Sequence, residues 1–281
     1  MIVSVVIPAC AAQVTIARAV RSLINQTWRD WEAVIVSDDG ADYEAHLRAQ
    51  GVTDPRLRFV STGRVRSGCH NARNVGLSAT RGELIAALDA DDLFHPERLA
   101  RLAPIAAREG AAVDNAVVVS EVSGETLSRG FELAHGHTAL DLASFLDLNV
   151  PLFPVVRREH AQPRIAGIEY AEDVVANVRL IDRIGRLPAL PDALFEYRVV
   201  SGSACHSDNS AEMFDRAYGE ILARLARDGL ELSPAGRALA VAGFERKRAL
   251  NRAFAEARRS DESLDFQTFC ARRRETATAH A

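Results

Sequence analysis

The stretch "ELIAALDADDLFHP", residues 83–96, runs from a short apolar segment straight into Asp89, Asp91 and Asp92 and stops at Pro96. A brief apolar run bounded by turn formers reads as a strand buried on both faces. The carboxylates then fall just beyond its carboxyl end. Like charges that close raise one another's pKa unless a cation or hydrogen-bond donors compensate, so a positive partner is expected among them.

Two other segments share this plan: "VSVVIPAC", residues 3–10, breaks at Pro8, and "EAVIVSDDGAD", residues 32–42, breaks at Asp38, Asp39 and Gly40. A single Asp-Asp-Gly is more often a turn or a helix cap than a ligand. Acidic clusters at two strand ends are a different matter. In an open parallel sheet the crevice beyond the carboxyl ends of the strands is where ligands bind. Carboxylates there suit a hard divalent cation that completes its shell with substrate phosphates.

Working outward, strands are expected at Val3–Ile7, Glu32–Ser37, Leu57–Ser61, Glu83–Leu88 and Ala116–Ser120. Between the first two, "TIARAVRSLINQT" repeats Ile16, Val20, Leu23 and Ile24 near a 3.6 period, one face of a crossover helix. "HNARNVGLSAT" and "HPERLARLAPIAARE" read as two more helices, the second with Pro96 in its first turn. Alternation of this kind predicts an α/β fold, a Rossmann-like, mainly parallel sheet flanked by helices. Residues 120–136 read as a loop region with room for a weak hairpin. Beyond it are expected a helix near Ala139–Leu148, a strand near Leu152–Arg157, a helix from Tyr170 to about Ile184 and a strand near Ala193–Val199. From Ala211 onward the pattern is almost entirely helical.

The 281 residues are 48% hydrophobic and 6% aromatic, enough for one large domain with an extension. A formal net charge of -4 gives no global basic field, which argues against nucleic acid as the partner. Cys10, Cys69, Cys205 and Cys270 are widely scattered with no zinc spacing, and read as free thiols in a reducing, cytoplasmic setting. The first ten residues lack the basic flank and length of a signal segment, and no run approaches the roughly 18 apolar residues of a spanning helix. His135 and His137 have chelating spacing, but a loop is the favoured reading. Arg246, Lys247, Arg248, Arg252, Arg258 and Arg259 offer a basic strip for peripheral contact with anionic lipid at the inner face of a membrane. A solvated helix face laced with Glu245 and Glu256 is the favoured alternative.

The pieces "VSVVIPAC", "AVRSLINQTWRDWEAVIVSDDGAD", "NARNVGLSATRGELIAALDADD" and "HPERL" stand in the order and spacing of a family-2 glycosyltransferase, and the first hundred residues resemble that family and its GT-A fold. The resemblance implies an inverting, metal-dependent transfer of sugar from a nucleoside-diphosphate sugar, a UDP-sugar above all, to an acceptor hydroxyl. It implies Pro8, Ala9, Cys10 and Asp39 around the nucleobase and ribose, with Asp39 accepting from the base, and Arg73 near the diphosphate. Asp89 and Asp91 become the DxD, binding Mg2+ or Mn2+ with the sugar nucleotide, and Asp92 a neighbour that shares the metal. His206, after the Ser/Gly-rich "VVSGSACHSD", becomes a metal ligand on a closing loop. Within "YAEDVVANVRLI", Asp173 is the position matched to the general base, with Glu172 beside it, although acidic residues in a first turn are also what the helix dipole favours. The acceptor is a glycan, lipid-linked or small molecule, in polysaccharide or glycoconjugate synthesis. On this reading residues 1–120 form the donor half, 121–205 the acceptor half, and 206–281 a lid loop with a helical extension.

One departure stands out. Where the family often carries an aromatic residue followed by Asn, this chain has Cys10 and Ala11. That implies weaker nucleotide affinity, an altered base preference, or compensation from another loop. Two rivals from other classes are a sugar-phosphate nucleotidyltransferase, against which the glycine-free "PACAAQVT" argues, and a non-catalytic nucleotide-sugar-binding protein.

Overall fold

The computed structural model describes residues 1–131, 138–199, 209–261 and 264–279. Strand β1 (Val3–Ala9), helix α1 (Ile16–Ile24), strand β2 (Trp31–Ser37), helix α2 (Tyr43–Ala49) and strand β3 (Leu57–Ser61) build the first edge. Helix α3 (Cys69–Ala79), strand β4 (Leu84–Ala87), the short β5 (Leu93–Phe94), helix α4 (Arg98–Glu109) and strand β6 (Ala111–Ser120) complete the first half. There follow β7 (Thr126–Arg129), β8 (Ala139–Leu140), α5 (Leu142–Asp147), β9 (Val155–Arg157), α6 (Glu172–Ile184) and β10 (Leu187–Val199). Helices α7 (Ser210–Arg227), α8 (Pro234–Arg258) and α9 (Phe266–Ala279) close the chain.

One sheet runs in the order β3-β2-β1-β4-β9-β6-β10-β5, with β7 on β6 and β8 on β10. The β1, β2, β3 and β4 ladder is parallel, as is β6 with β10, while β9 runs antiparallel between β4 and β6. The expected α/β, mainly parallel architecture is thus the observed one. Parallel pairing aligns the carboxyl ends of β1, β2 and β4, which brings Cys10, the Asp38–Asp39 turn and the Asp89–Asp92 cluster to one edge. Helix α3 packs so tightly that a Cβ on Gly76 would lie 2.3 Å from Val6 Cγ1 and 3.0 Å from Val36 Cγ2. Only glycine fits there.

Several boundaries differ from the sequence expectation. Helix α4 starts at Arg98, so Pro96 precedes its first turn. Residues 120–136 do hold a hairpin strand, β7, antiparallel to β6. Strand β10 starts at Leu187 rather than near Ala193, because register shifts around Pro191 let the ladder pass a residue that has no N–H to donate. Helices α7 and α8 share a core with α5, α6 and β6 through Phe145, Leu146, Val178, Ile221 and Phe244, so the C-terminal segment is packed into the domain. His135 and His137 lie outside the described residues.

Within the first half, Arg98 of α4 and Asp114 of β6 form a pair that is 0% and 1% exposed. Arg98 Nε and Nη2 donate to the carboxylate at 2.8–3.1 Å, Nη2 also donates to the Phe153 carbonyl at 2.6 Å, and the guanidinium lies 4.1 Å from the Phe94 ring centroid. Removing one partner of a buried pair strands the other charge. Asp114→Ala is therefore expected to cost about 3–5 kcal/mol in urea unfolding, and Arg98→Met with Asp114→Leu much less. Equal losses would show that the pair matters through shape rather than charge.

Candidate active site

The turn after β2 separates two aspartates with different tasks. Asp38 is buried, and its carboxylate accepts from Thr62 Oγ1 at 2.8 Å, Ser67 N at 3.1 Å and Gly68 N at 3.0 Å. It pins the 62–68 loop and the start of α3, where Gly68 takes φ 98. Asp39 is half-exposed and accepts from Ala11 N at 2.7 Å, Ala41 N at 3.0 Å and Tyr43 Oη at 2.9 Å. Burial pushes its pKa up, yet those donors together hold it below the usual carboxylate value. Pro8 and Ala9 remain in the β1 ladder, opposite Val36 and Ser37, and Cys10 is the first exposed residue beyond it. Pro8, Ala9, Cys10 and Asp39 therefore flank one end of the site rather than line its main cleft.

That cleft has a volume of about 690 Å3 and brings Asp89 and Asp91 to the same space as Glu172, Asp173 and Lys247. Burial, then the neighbouring Asp89, pushes Asp91 up to about 6. Asp92 does not line the cleft: it is 0% exposed, and its Oδ1 accepts from Arg198 N at 2.8 Å, tying the β4 end to β10. Its Oδ2 is buried without a hydrogen-bond partner among the described residues, and burial with the Asp91 and Asp89 charges raises its pKa well above normal. The protein thus compensates the cluster only in part. Among the described residues no group of three or more His, Cys, Asp or Glu side chains is arranged to hold a metal ion. Mg2+ and Mn2+ need only one or two protein carboxylates when water and phosphate supply the rest, so Asp89 and Asp91 fit such an ion, with Asp92 behind them. His206 lies outside the described residues.

Arg73, expected near the diphosphate, lines the same cleft as Asp89 and Asp91. It is 7% exposed and hydrogen-bonds Asp89 through one terminal nitrogen and Glu172 through the other. Arg164 Nε pairs with Glu172 at 2.8 Å on the other side. Two carboxylates hold the guanidinium in place. Arg73 therefore joins the end of β4 to the start of α6, and fixes Glu172 so that Asp173 opens onto the cleft. Burial, and then the Glu172 charge, pushes Asp173 up to about 6 against the opposing pull of Arg73 and Arg164.

Sequence reasoning missed three features. Glu121, at the end of β6, accepts from Arg18 at 2.9 Å and from Arg198 at 2.5 Å, while Arg18 also donates to the Asp91 carbonyl at 3.2 Å. Lys247 of α8 is 7% exposed and donates to the Leu148 carbonyl, and burial lowers its pKa to about 8. Few aromatic residues are present, yet folding gathers Tyr170, Phe214, Tyr218, Phe254 and Phe266 along the cleft, with Tyr170 and Phe214 ring centroids 5.2 Å apart. None of these has a local sequence signal, because each depends on residues far apart in the chain.

Parallel strands that end together, carboxylates at the end of β4 and an acidic helix start across one cleft form the architecture of the GT-A fold. Residues 4–152 match the Glycosyl transferase family 2 profile, and the chain belongs to that family. Over 249 residues it is 33% identical to the succinoglycan biosynthesis protein ExoO of Rhizobium meliloti (strain 1021), covering 81% of this chain and 70% of that protein. The fold is similar to S. aureus TarS 1-349 in complex with UDP-GlcNAc, with a TM-score of 0.63, 20% identity, and coverage of 87% and 72%. It is also similar to the mannosyltransferase PcManGT from Pyrobaculum calidifontis in complex with GDP-Man and Mn2+, with a TM-score of 0.61, 16% identity, and coverage of 98% and 80%. Among the described residues no helix is long and apolar enough to cross a membrane.

Proposed function

We propose that this glycosyltransferase takes sugar from a UDP-sugar with help from Mg2+ or Mn2+ and inverts the anomeric centre as it transfers to an acceptor hydroxyl. The observation that carries this reading is that Asp89 and Asp91, from the end of β4, and Asp173, from the start of α6, line one cleft. The nucleobase belongs at the β1–β2 end, beside Cys10 and Asp39, and the diphosphate at the β4 end. Asp89 and Asp91 would hold the metal ion, which when bound neutralises charge on the departing diphosphate. Asp173 faces the space across from them, where it takes the proton of the acceptor hydroxyl as that oxygen attacks. Attack from the side opposite the leaving group inverts the centre. The donor half is residues 1–120 and the acceptor half 121–205, with the α7, α8 and α9 wall completing the acceptor side. The relative's part in making a polysaccharide supports a glycan, free or lipid-linked, as the acceptor.

The test is donor hydrolysis over a panel of UDP-, GDP- and TDP-sugars, with and without Mn2+. One nucleotide series should be turned over, and only with the metal. Asp91→Asn is expected to weaken Mn2+-dependent nucleotide binding at least about tenfold while leaving the fold intact, since it removes a charged ligand from the cluster. Undiminished binding in that variant would remove Asp91 from the metal site. Failure of every sugar nucleotide to bind would favour a different class of function.

A further inference from the structure

We infer that Arg66 supplies the flat cationic platform on which the nucleobase of the donor stacks. The inference rests on the nucleotide-sugar reading above and names the residue that makes this chain's base pocket. Arg66 takes φ 54, a left-handed conformation that a long side chain adopts only when its surroundings impose it. Its N–H donates to the Asp38 carbonyl at 2.6 Å, and the next two N–H groups, of Ser67 and Gly68, donate to the Asp38 carboxylate. The loop is fastened to the end of β2, and the fastening aims Arg66 outward. Its side chain is exposed and lines the cleft, and its charge acts on the Cys10 thiol. Among the described residues no ion pair involves it.

Position separates a base contact from a phosphate contact. In the order β2-β1-β4, the Asp38 turn that carries Arg66 stands two strands from the Asp89–Asp91 cluster, about 10 Å at the usual strand spacing. Arg66 therefore overhangs the end where the base lies, not the end where the diphosphate lies. Tyr43, the aromatic residue beside Asp39, is buried, and its hydroxyl is taken by Asp39 and Ala12 N. Cys10 and Ala11 are small, and leave room for a ring against the guanidinium. A planar, weakly hydrated guanidinium stacks on aromatic faces, whereas a lysine ammonium has no plane to offer.

The experiment is calorimetric binding of UDP or GDP, whichever the wild-type protein binds more tightly, and competition by inorganic pyrophosphate. Arg66→Ala is expected to weaken nucleotide binding about fivefold to thirtyfold, and to leave the pyrophosphate competition constant unchanged. Arg66→Lys should lose nearly as much, because it keeps the charge without the plane. Arg66→Asn tolerates the left-handed backbone, so a matching loss at an unchanged melting temperature assigns the effect to the side chain rather than to the loop. Restoration by Arg66→Lys, with weaker pyrophosphate competition in Arg66→Ala, would make Arg66 a phosphate contact and overturn the inference. Unchanged nucleotide binding in all three variants would overturn it as well. If the wild-type protein bound neither nucleotide, the nucleotide-sugar reading would fail, and this inference with it.

Discussion

Asp173→Asn is expected to lower turnover by about 10² to 10⁴-fold, the usual contribution of a general base, while donor and metal binding hold. The substitution keeps the shape of the side chain and removes its ability to take a proton. Donor binding depends on the β1–β2 end and on Asp89 and Asp91, none of which it alters. The pH profile gives a second readout. The raised pKa of about 6 at Asp173 means that the group is protonated, and idle as a base, below that value. Wild-type kcat should therefore climb as pH rises through about 6, and the residual activity of Asp173→Asn should lack that limb. Product anomeric configuration, read by NMR, should be inverted relative to the donor. A wild-type rate in Asp173→Asn, or retention of configuration, would move the base to another carboxylate or make the mechanism a retaining one.

Arg73→Ala is the second large effect, and its readout is stability as much as activity. The side chain is 7% exposed and holds Asp89 and the 5% exposed Glu172. Deleting one member of such a buried network takes the counter-charge from Asp89 and leaves Glu172 with Arg164 alone, at about 3–5 kcal/mol. The sign of the pH dependence follows from the same charges. Arg73 opposes the upward shift of Asp173, so without it that pKa rises further above the unfolded value, and the penalty is largest at neutral pH and shrinks as pH falls and the group protonates. Urea unfolding at pH 7 and pH 5 should show the deficit narrowing in acid. Arg73 also lowers the Asp173 pKa. Any activity left in the variant should consequently have its acid limb moved to higher pH. A deficit independent of pH would mean that Arg73 acts through packing against Phe153, whose ring centroid lies 5.5 Å from the guanidinium.

Glu32–Ser37 and Val3–Ile7 could be read as parallel strands because both are buried on both faces, and a continuous apolar run is the visible consequence of that burial. Asp89 and Asp91 could be read as an acidic cluster beyond a strand end, whereas Asp173 was singled out by the resemblance to the family, since an acidic first turn is ordinary in a helix. Within the acidic clusters the sequence could not divide the work. Asp38 and Asp39 are adjacent and identical, and only the donors that converge on each separate a buried loop anchor from a half-exposed carboxylate at the end of β1 and β2. Asp91 and Asp92 differ in the same way, one lining the cleft and the other buried against β10. Arg73 was named through the resemblance to the family, and the tertiary structure gave it Asp89 and Glu172 as partners. Local sequence determined the elements, their buried faces and the carboxylates at their ends, since backbone geometry and hydrophobic periodicity act over a few residues. Which charges pair, which carboxylates stay open and which wall the C-terminal helices build was decided by the tertiary structure, because burial and Coulomb interaction depend on distance in space and not along the chain.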